Sequence, residues 1–315
     1  MQKKNILLLE GGMNEENDVS LSTGIEVKKA LKKLGFNFKS IIVNPNTFER
    51  DILNYNSNII CFNALHGTFG EDGQIQKILD KQSIKYTHAS AKASEICFNK
   101  KKTKDIVNDL GILTPEYVEI NIEDINTEYL FDLLNKFGPF VIKPNFSGSS
   151  YGVKIIKNIS QINIFVSDLK KDLATVYDNH KNILIEKYIE GRELTVAVIE
   201  KKNETFPVEV TEIISNNNFF DYQSKYTKGF SKHILPANIP NKAYEQCKNI
   251  SKKIHDKIKC KGVSRSDFIF SNEKIYFLEI NSQPGLTEIS LVPEQLNYQN
   301  VPFDELILDI INSAL

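Results

Sequence analysis

Residues 262–287, GVSRSDFIFSNEKIYFLEINSQPGLT, decide the fold that we predict for this chain. Their two apolar runs, residues 263–270 and 275–280, are rich in β-branched and aromatic side chains. A short polar segment separates the two runs, and this pattern is typical of a β-hairpin. We expect the rest of the chain to be organised around this hairpin.

Polar side chains are predicted to gather on one face of the hairpin. Side chains alternate between the faces of a strand, so a hairpin that turns about Glu273 places Asp267 opposite Glu279 and Arg265 opposite Asn281. A solvated cross-strand ion pair is the simpler interpretation. The neighbouring positions, however, are large and apolar: Phe268, Phe270, Phe277 and Leu278. They predict a hairpin buried on its other side, whose enclosed carboxylate and amide oxygens suit Mg²⁺ and phosphate.

The length and the net charge of the chain limit the classes of protein to which it can belong. The chain has 315 residues, enough for two or three subdomains. Its net charge of -1 does not indicate the positive surface that binds nucleic acid or an anionic membrane. No apolar run has the length of a signal-peptide core or a membrane span. The four cysteines contain no C-x-x-C pair, so neither a zinc site nor a disulfide framework is indicated. We expect a cytoplasmic protein with reduced cysteines, and we interpret the basic run Lys100–Lys102 with Lys104 mostly as a solvated helix start.

Residues 1–96 alternate predicted strands with helices, which indicates a parallel sheet with ligand sites beyond the carboxyl ends of its strands. The T-x-x-E pattern at Thr23 predicts the start of the first helix. Polar loops at residues 13–18 and 66–73 follow two strands, and the first is equally well explained as an acidic helix N-terminus. Neither loop is a G-x-G-x-x-G, which disfavours a dinucleotide fold. The predicted strands are residues 5–9, 38–43 and 58–63.

A loop of small residues, Phe146-Ser147-Gly148-Ser149-Ser150-Tyr151-Gly152, contains the G-x-S-x-G signature of a nucleophile elbow. A serine hydrolase that uses Ser150 is therefore one alternative. An elbow requires a strand, a tight turn and then a helix, whereas residues 153–156 continue as a strand. We predict a hairpin tip whose backbone N–H groups close over phosphates. Residues 214–235 form a second long loop without periodicity, and its length is typical of a functional loop.

Two motifs carry a family resemblance. Residues 279–293 match E-x-N-x-x-P-G-[ML]-T-x-x-S-L-V-P with few departures, and residues 66–73 match H-G-x-x-G-E-D-G. With these motifs the chain resembles the D-alanine–D-alanine ligase family of the ATP-grasp superfamily. The resemblance implies a mixed α/β fold, in which an N-terminal parallel-sheet, Rossmann-like domain precedes a two-lobed ATP-grasp domain. The implied parts are a substrate-binding domain (1–96), a central lobe with the phosphate loop (97–184) and a C-terminal lobe with a lid at 214–235 and the metal hairpin (185–315).

The resemblance also implies the role of each site residue. Glu16 orients the amine of the first substrate, His66 assists it, and Tyr226 joins Glu16 and Ser149 in a cluster that closes the site. Arg265 and the N–H of Gly285 face the oxyanion, and Ser290 and Leu291 bind the second carboxylate with Arg265. Two magnesium ions, or manganese, bind Asp267, Glu279 and Asn281. The implied ATP-binding residues are Lys100, Lys143, Ser149, Glu186, Lys187, Tyr188, Ile189, Glu193, Lys225 and Leu278.

The implied activity is the ATP-dependent ligation of two D-alanines through an acyl phosphate, by a homodimer without nucleic-acid or membrane partners. A ligase of the same fold with another second substrate, such as D-lactate or D-serine, is the alternative. Tyr226 favours dipeptide formation, because a phenol with an unperturbed pKa of about 10 is neutral at pH 7 and does not repel a protonated amine. Two residues depart from the family pattern, Glu10 and Gln283, and both are expected to change packing near the substrates.

Overall fold

The computed structural model describes residues 4–148, 152–172, 181–202, 204–215 and 231–314. The strands are β1 (Asn5–Gly11), β2 (Phe38–Val43), β3 (Ile59–Asn63), β4 (Lys85–Tyr86), β5 (Tyr117–Asn121), β6 (Phe140–Pro144), β7 (Lys154–Ile156), β8 (Asn182–Lys187), β9 (Arg192–Lys201), β10 (Glu204–Ser215), β11 (Ser231–Ile234), β12 (Val263–Ser271) and β13 (Lys274–Asn281). The helices are α1 (Asn17–Lys33), α2 (Phe48–Asp51), α3 (Gln74–Lys81), α4 (Ala91–Phe98), α5 (Lys100–Asp109), α6 (Thr127–Phe137), α7 (Ile159–Asp172), α8 (Asn241–Ile258), α9 (Leu291–Tyr298) and α10 (Phe303–Ser313), with short 3-10 turns at Ile52–Asn54 and Ile122–Asp124.

The N-terminal sheet is parallel, as predicted, with the strand order β2-β1-β3-β4. Alternate residues of β1 enter two separate cores, with Leu8 packed on the side of α1 and α10 and Leu9 on the opposite side. This alternation follows from the period of two in a strand that is covered on both faces. Because β1 and β3 run parallel, their carboxyl ends lie at the same edge of the sheet.

The first helix begins earlier than predicted. It starts at Asn17, so the capping motif at Thr23 was a wrong prediction, and Thr23 lies buried within α1. Its hydroxyl contacts His66 Nε2 at 2.9 Å and does not cap a helix. The polar residues 13–18 concealed the start, because acidic and amide side chains are common both in loops and in first helical turns.

Glu10, one of the two departures from the family pattern, lies at the interface of β1 and α1. The side chain is 3% exposed, and its Oε1 accepts a hydrogen bond from Lys28 Nζ at 2.6 Å. Gly24, one helical turn before Lys28, provides the space, because a Cβ there would overlap Glu10 Oε2. Glu10 therefore changes the packing of α1 on the sheet and does not line the pockets described below.

Gly24→Ala is expected to destabilise the protein by about 1–3 kcal/mol, as over-packing does. Helix propensity alone predicts the opposite sign, a gain of about 1 kcal/mol. Thermal unfolding measures the difference, with Ser22→Ala on the exposed side of the same helix as a control that stays within about 0.5 kcal/mol. The cost of the Gly24 substitution must shrink in a Glu10→Ala background if the carboxylate is its cause. A stabilised Gly24→Ala variant would contradict the packing argument.

The middle sheet has the order β5-β8-β6-β7, and its pairs are antiparallel. Because β6 and β7 pair as a hairpin, the small-residue loop between them is a hairpin tip, as predicted, and not the strand-to-helix turn of a hydrolase. Ser150 itself lies outside the described residues. The expected boundary after residue 184 falls within β8, which continues to Lys187.

The C-terminal sheet has the order β11-β10-β9-β12-β13 and contains the hairpin from which the fold was predicted. Its register pairs Asp267 with Glu279 and Arg265 with Asn281, as expected. The interpretation of residues 214–235 as one loop was wrong at both ends, because β10 extends to Ser215 and β11 begins at Ser231. These strands pair with each other, and residues 216–230 lie outside the described part of the chain.

The turn and the strand pairing that produce this register differ from those that the sequence pattern predicted. The turn consists of Asn272 and Glu273 alone, both at positive φ (48° and 59°), which shifts the pairing by one residue near the turn. A bulge in which Leu278 is the extra residue restores the pairing. Leu278 and Glu279 therefore line the same pocket, although consecutive strand residues ordinarily face opposite sides. The placement of Leu278 among the residues of the buried face was wrong.

All four cysteines are buried free thiols, in agreement with the expectation of reduced cysteines. Cys97 and Cys260, remote in sequence, bring their Sγ atoms to 3.7 Å in the core between α4 and α8. Among the described residues, no helix combines the length and the apolar character needed to cross a membrane.

Candidate active site

Two pockets meet where the three sheets come together. The polar pocket contains the residues expected to bind the two amino acids: Glu16, His66, Arg265, Gly285, Ser290 and Leu291. The apolar pocket lies between the middle and C-terminal sheets and contains most of the expected nucleotide residues: Lys100, Lys143, Glu186, Lys187, Tyr188, Ile189, Glu193 and Leu278. The pockets share four lining residues: Lys100, Ser147, Gly148 and Glu279. A molecule in one pocket can therefore touch a molecule in the other.

Glu16 and His66 form the N-terminal wall of the polar pocket. Glu16 precedes α1 and is 3% exposed, and His66 is 4% exposed. The His66 ring is held on both sides, with Nε2 at 2.9 Å from Thr23 Oγ1 and Nδ1 at 3.2 Å from Glu71 Oε1. The ring orientation is thus set before any ligand binds, as a substrate-positioning group requires.

Glycine is required where two loops approach the Glu16 carboxylate. A Cβ on Gly148 would lie 2.9 Å from Glu16 Oε2, and a Cβ on Gly67 would overlap the same atom. Gly67 also has a φ of 71°, in the left-handed region. Gly67 of the G-x-x-G-E-D-G motif and Gly148 of the small-residue loop are therefore glycines for a common reason, which is close backbone approach to one carboxylate.

Arg265 and Asp267 form a planar, two-hydrogen-bond pair on the polar face of the hairpin. Arg265 donates from Nε to Asp267 Oδ1 at 3.0 Å and from a terminal nitrogen to Oδ2 at 2.9 Å. Thr195 on β9, fully buried, donates its hydroxyl to Asp267 Oδ1 at 2.5 Å. Thr195 was missed in the sequence because nothing local marks a strand threonine as the neighbour of a carboxylate 72 positions further along the chain. These hydrogen bonds hold the side chains of Arg265 and Asp267 in fixed orientations on the polar face of the hairpin.

Glu279 stands at the junction of the two pockets, with Lys100 Nζ at 3.5 Å from its Oε2. Asn281 follows on the same strand, and its Oδ1 accepts the backbone N–H of Gln283 at 2.7 Å while retaining a second lone pair. The donor set of Asp267, Glu279 and Asn281 is two carboxylates and an amide oxygen, which fits the preference of Mg²⁺ for a few hard oxygen ligands. A group of three or more His, Cys, Asp and Glu side chains suited to a metal does not occur in the described part of the chain.

Gly285, Ser290 and Leu291 lie at the start of α9. Ser290 is the N-cap residue, and its hydroxyl accepts the backbone N–H of Thr287 at 3.0 Å. A Cβ on Gly285 would lie 3.0 Å from Ser290 Oγ, so the turn packs closely against the helix start. The free N–H groups of a helix start suit a carboxylate, which is the group expected there.

Gln283, the second departure from the family pattern, joins the hairpin to the N-terminal sheet. It is 2% exposed; its Oε1 accepts from Asn63 Nδ2 at 2.9 Å, and its Nε2 donates to the carbonyl of Leu65. Both partners lie at the carboxyl end of β3, next to the loop that carries His66. Gln283 therefore holds the C-terminal hairpin in position against the N-terminal loop that carries His66, and these two parts form two walls of the polar pocket.

Glu186 is buried in the apolar pocket between two lysines. Lys143 Nζ lies 2.5 Å from Oε1 and Lys104 Nζ lies 2.8 Å from Oε2. Burial by itself would raise the pKa of Glu186, but the attraction of Lys104 and Lys143 outweighs it and lowers the pKa below its ordinary value. The same burial lowers the pKa of Lys104 to about 8, against the attraction of Glu186.

Lys104 corrects the interpretation of the basic run as a solvated helix start. Its side chain is 1% exposed and that of Lys100 is 10% exposed, whereas those of Lys101 and Lys102 are 38% and 52% exposed. The i, i+4 spacing of Lys100 and Lys104 places them on one helical face, and this spacing was the signal available in the sequence.

His233 belongs to the segment that was interpreted as the loop 214–235, from which it could reach the site. It lies on β11, lines the polar pocket, and its Nδ1 is 2.8 Å from Glu294 Oε2 on α9. Three expected site residues, Ser149, Lys225 and Tyr226, lie outside the described residues.

An N-terminal parallel sheet followed by two antiparallel sheets that enclose a lysine-lined pocket defines an ATP-grasp enzyme. The model of the D-ala D-ala ligase C-terminus family matches residues 106–312. The D-alanine–D-alanine ligases of Zymomonas mobilis and Pelagibacter ubique are each 38% identical to this chain over 99% of its length, covering 94% and 98% of those relatives. The crystal structure of the D-alanine–D-alanine ligase from Bacillus anthracis in complex with ATP is similar over 100% of this chain and 97% of that one, with 30% identity and a TM-score of 0.80. The chain belongs to the D-alanine–D-alanine ligase family.

Proposed function

We propose that the protein joins two D-alanines into D-alanyl-D-alanine at the expense of ATP, for the synthesis of peptidoglycan precursors. The observation that carries this proposal is the junction of the two pockets at Lys100, Ser147, Gly148 and Glu279. A nucleotide in the apolar pocket directs its phosphates to this junction, where the carboxylate of an amino acid in the polar pocket meets them. The family to which the chain belongs supports the same assignment.

The first step transfers the γ-phosphoryl group of ATP to the carboxylate of the first D-alanine. A carboxylate oxygen forms the new O–P bond as the bond to the ADP oxygen breaks, and positioning and charge neutralisation supply most of the catalysis. Lys100 and Lys143 are the cations at the phosphates, and Glu16 and His66 hold the amine of the substrate. Two Mg²⁺ ions, or Mn²⁺, on Asp267, Glu279 and Asn281 would neutralise charge on the phosphoryl group.

In the second step the neutral amine of the second D-alanine attacks the acyl carbon; the bond from the acyl carbon to the phosphate oxygen breaks as the peptide bond forms, and the leaving phosphate takes up the proton that the amine loses. Negative charge develops on the acyl oxygen during the attack. Arg265 and the N–H of Gly285 border the polar pocket where this oxyanion forms, and preorganised donors of this kind stabilise a transition state more than a ground state. The carboxylate of the second substrate binds Ser290 and Leu291 at the start of α9.

Measuring ADP release with a panel of D-amino and D-hydroxy acids tests the proposal, combined with mass identification of the product. We expect ADP release to depend on D-alanine and to yield D-alanyl-D-alanine. Release that is independent of D-alanine, or that requires a different amino acid, would overturn the assignment.

The choice of the second substrate rests on Tyr226, whose neutral phenol does not disfavour a protonated amine. We expect predominant dipeptide from an equimolar mixture of D-alanine and D-lactate at pH 7.5. Predominant depsipeptide would show that the role carried over to Tyr226 is wrong. The cytoplasmic location and the homodimer remain predictions.

A further inference from the structure

We propose that Lys104 is a positioning residue that keeps the buried Glu186 carboxylate ionised and thereby makes the apolar pocket select adenine over guanine. The inference rests on the proposed function, because it takes a nucleotide as the occupant of that pocket. Lys104 is not one of the site residues that the family resemblance implies.

The geometry ties Lys104 to Glu186 and to little else. Lys104 Nζ forms an ion pair at 2.8 Å with Glu186 Oε2, an atom that has no hydrogen-bond partner among the described residues. Its second contact is Thr114 Oγ1 at 2.6 Å, and the ring of Tyr117 lies beneath it at 5.6 Å. With 1% of its side chain exposed, Lys104 has no path to a phosphate in the pocket.

Lys104 and Lys143 differ in what they can do when a nucleotide binds. Lys143 on β6 contacts Glu186 Oε1, lines the apolar pocket and is the lysine expected to contact a phosphate. Lys104 does not line the pocket. If Lys143 leaves, Lys104 becomes the remaining counter-ion of a fully buried carboxylate, and a buried carboxylate without a cation takes up a proton.

The charge on Glu186 determines which base the pocket accepts. The pocket walls are aliphatic and suit a flat base: Val141, Val153, Ile155, Ile269 and Leu278. Glu186, 3% exposed, is one of the buried charged groups that line the same pocket. An ionised carboxylate only accepts hydrogen bonds, so it binds the exocyclic amine of adenine and repels the carbonyl oxygen at the same position of guanine. A protonated carboxyl group carries an O–H donor, which removes this discrimination.

The groups that face Glu186 come from three elements. Lys104 approaches from α5, Lys143 from β6, and Tyr117 is its cross-strand partner on β5. Burial, followed by the hydrogen bond to Asp105, raises the pKa of Tyr117, so this residue is neutral and adds no charge. Lysines are therefore the source of positive charge at Glu186, and removing one of them is a direct test.

The test is nucleotide binding by Lys104→Met, a near-isosteric change that removes the charge. Dissociation constants are measured by calorimetry with non-hydrolysable ATP and GTP analogues and magnesium, between pH 6 and 8. We expect the affinity for the ATP analogue to fall about tenfold or more, the cost of a lost buried charge contact, and the ratio of ATP to GTP affinity to fall with it. The ratio should fall further towards pH 6, because Glu186 in the variant takes up a proton there, whereas in the unmodified protein it stays ionised.

Lys101→Met is the matched control, because Lys101 lies on the same helix but pairs with Asp105 and is 38% exposed. It should leave the affinity ratio and its pH dependence unchanged. Lys104→Gln, which keeps a hydrogen-bond donor, serves if the methionine variant does not fold, and it should show a smaller loss of discrimination. Equal weakening of both analogues at every pH, in either Lys104 variant, would mean a purely structural role and would overturn the proposal.

The binding experiment contains no D-alanine, so it separates this inference from the proposed reaction. Failure of the ligase assay with normal ATP selectivity would contradict the proposed function alone. Normal ligase activity with unchanged selectivity in Lys104→Met would contradict the role of Lys104 alone.

Discussion

Glu279→Gln is expected to lower kcat by about a thousandfold, the upper end of the range for removing one electrostatic contact to a transition state, while the protein stays folded. The substitution keeps the shape of a residue that stands at the junction of both pockets and removes its charge. The loss of a carboxylate weakens magnesium binding at the point where phosphoryl transfer is proposed. ADP release at saturating magnesium and D-alanine measures the effect, and thermal unfolding verifies the fold.

Glu273→Gln is the control for Glu279→Gln. Glu273 lies at the exposed turn of the same hairpin, so the same chemical change there should leave kcat unaffected. Activity of the Glu279 variant near the normal level at saturating magnesium would contradict the metal site assigned to the hairpin.

Arg265→Lys is expected to lower kcat by about a hundredfold to a thousandfold, although the charge is retained. The guanidinium holds both oxygens of Asp267 with two parallel hydrogen bonds, at 3.0 and 2.9 Å, and borders the polar pocket. A lysine ammonium cannot reproduce this planar arrangement, so both Asp267 and the oxyanion lose their fixed donor. Steady-state kinetics with D-alanine as the varied substrate measure the loss in kcat and in kcat/KM.

Arg192→Lys tests whether the loss at Arg265 comes from the site. Arg192 makes the same two-bond contact with Glu212, at 2.6 and 2.5 Å, but lines neither pocket. It should change stability slightly and kcat little. A similar loss of kcat in both variants would indicate that the arginines act through the rigidity of the C-terminal sheet.

The hairpin shows how far local pattern reaches and where it stops. Alternation of polar and apolar residues predicted the two strands, and centring the turn on Glu273 predicted the pairing of Asp267 with Glu279. The actual hairpin has a two-residue turn and a bulge at Leu278, whose one-residue shifts cancel. The bulge places Leu278 and Glu279 in one pocket, which simple alternation cannot produce.

The second class of difference concerns residues whose importance depends on a distant partner. Thr23 carries a capping motif in the sequence, yet its hydroxyl is used by His66, 43 positions away. Lys104 belongs to a run of lysines that looks solvated, and only the approach of β8 to α5 buries it against Glu186. Gln283 departs from the family pattern, and its role depends on contacts with Asn63 and Leu65, which are 220 and 218 positions away.

Local patterns in the sequence were sufficient to predict the parallel N-terminal sheet and the central hairpin, because periodicity and turn residues are local properties of the chain. The motifs, also local, carried the resemblance that implied the ATP-grasp fold and the family. The tertiary structure decided which side chains meet: Lys104 with Glu186, Thr195 with Asp267, and Cys97 with Cys260. The two residues of each pair are 82, 72 and 163 positions apart in the sequence, respectively. Their adjacency is created by the packing of sheets and helices on one another, and burial then gives each pair the low-dielectric surroundings in which its charge or hydrogen bond has a large effect.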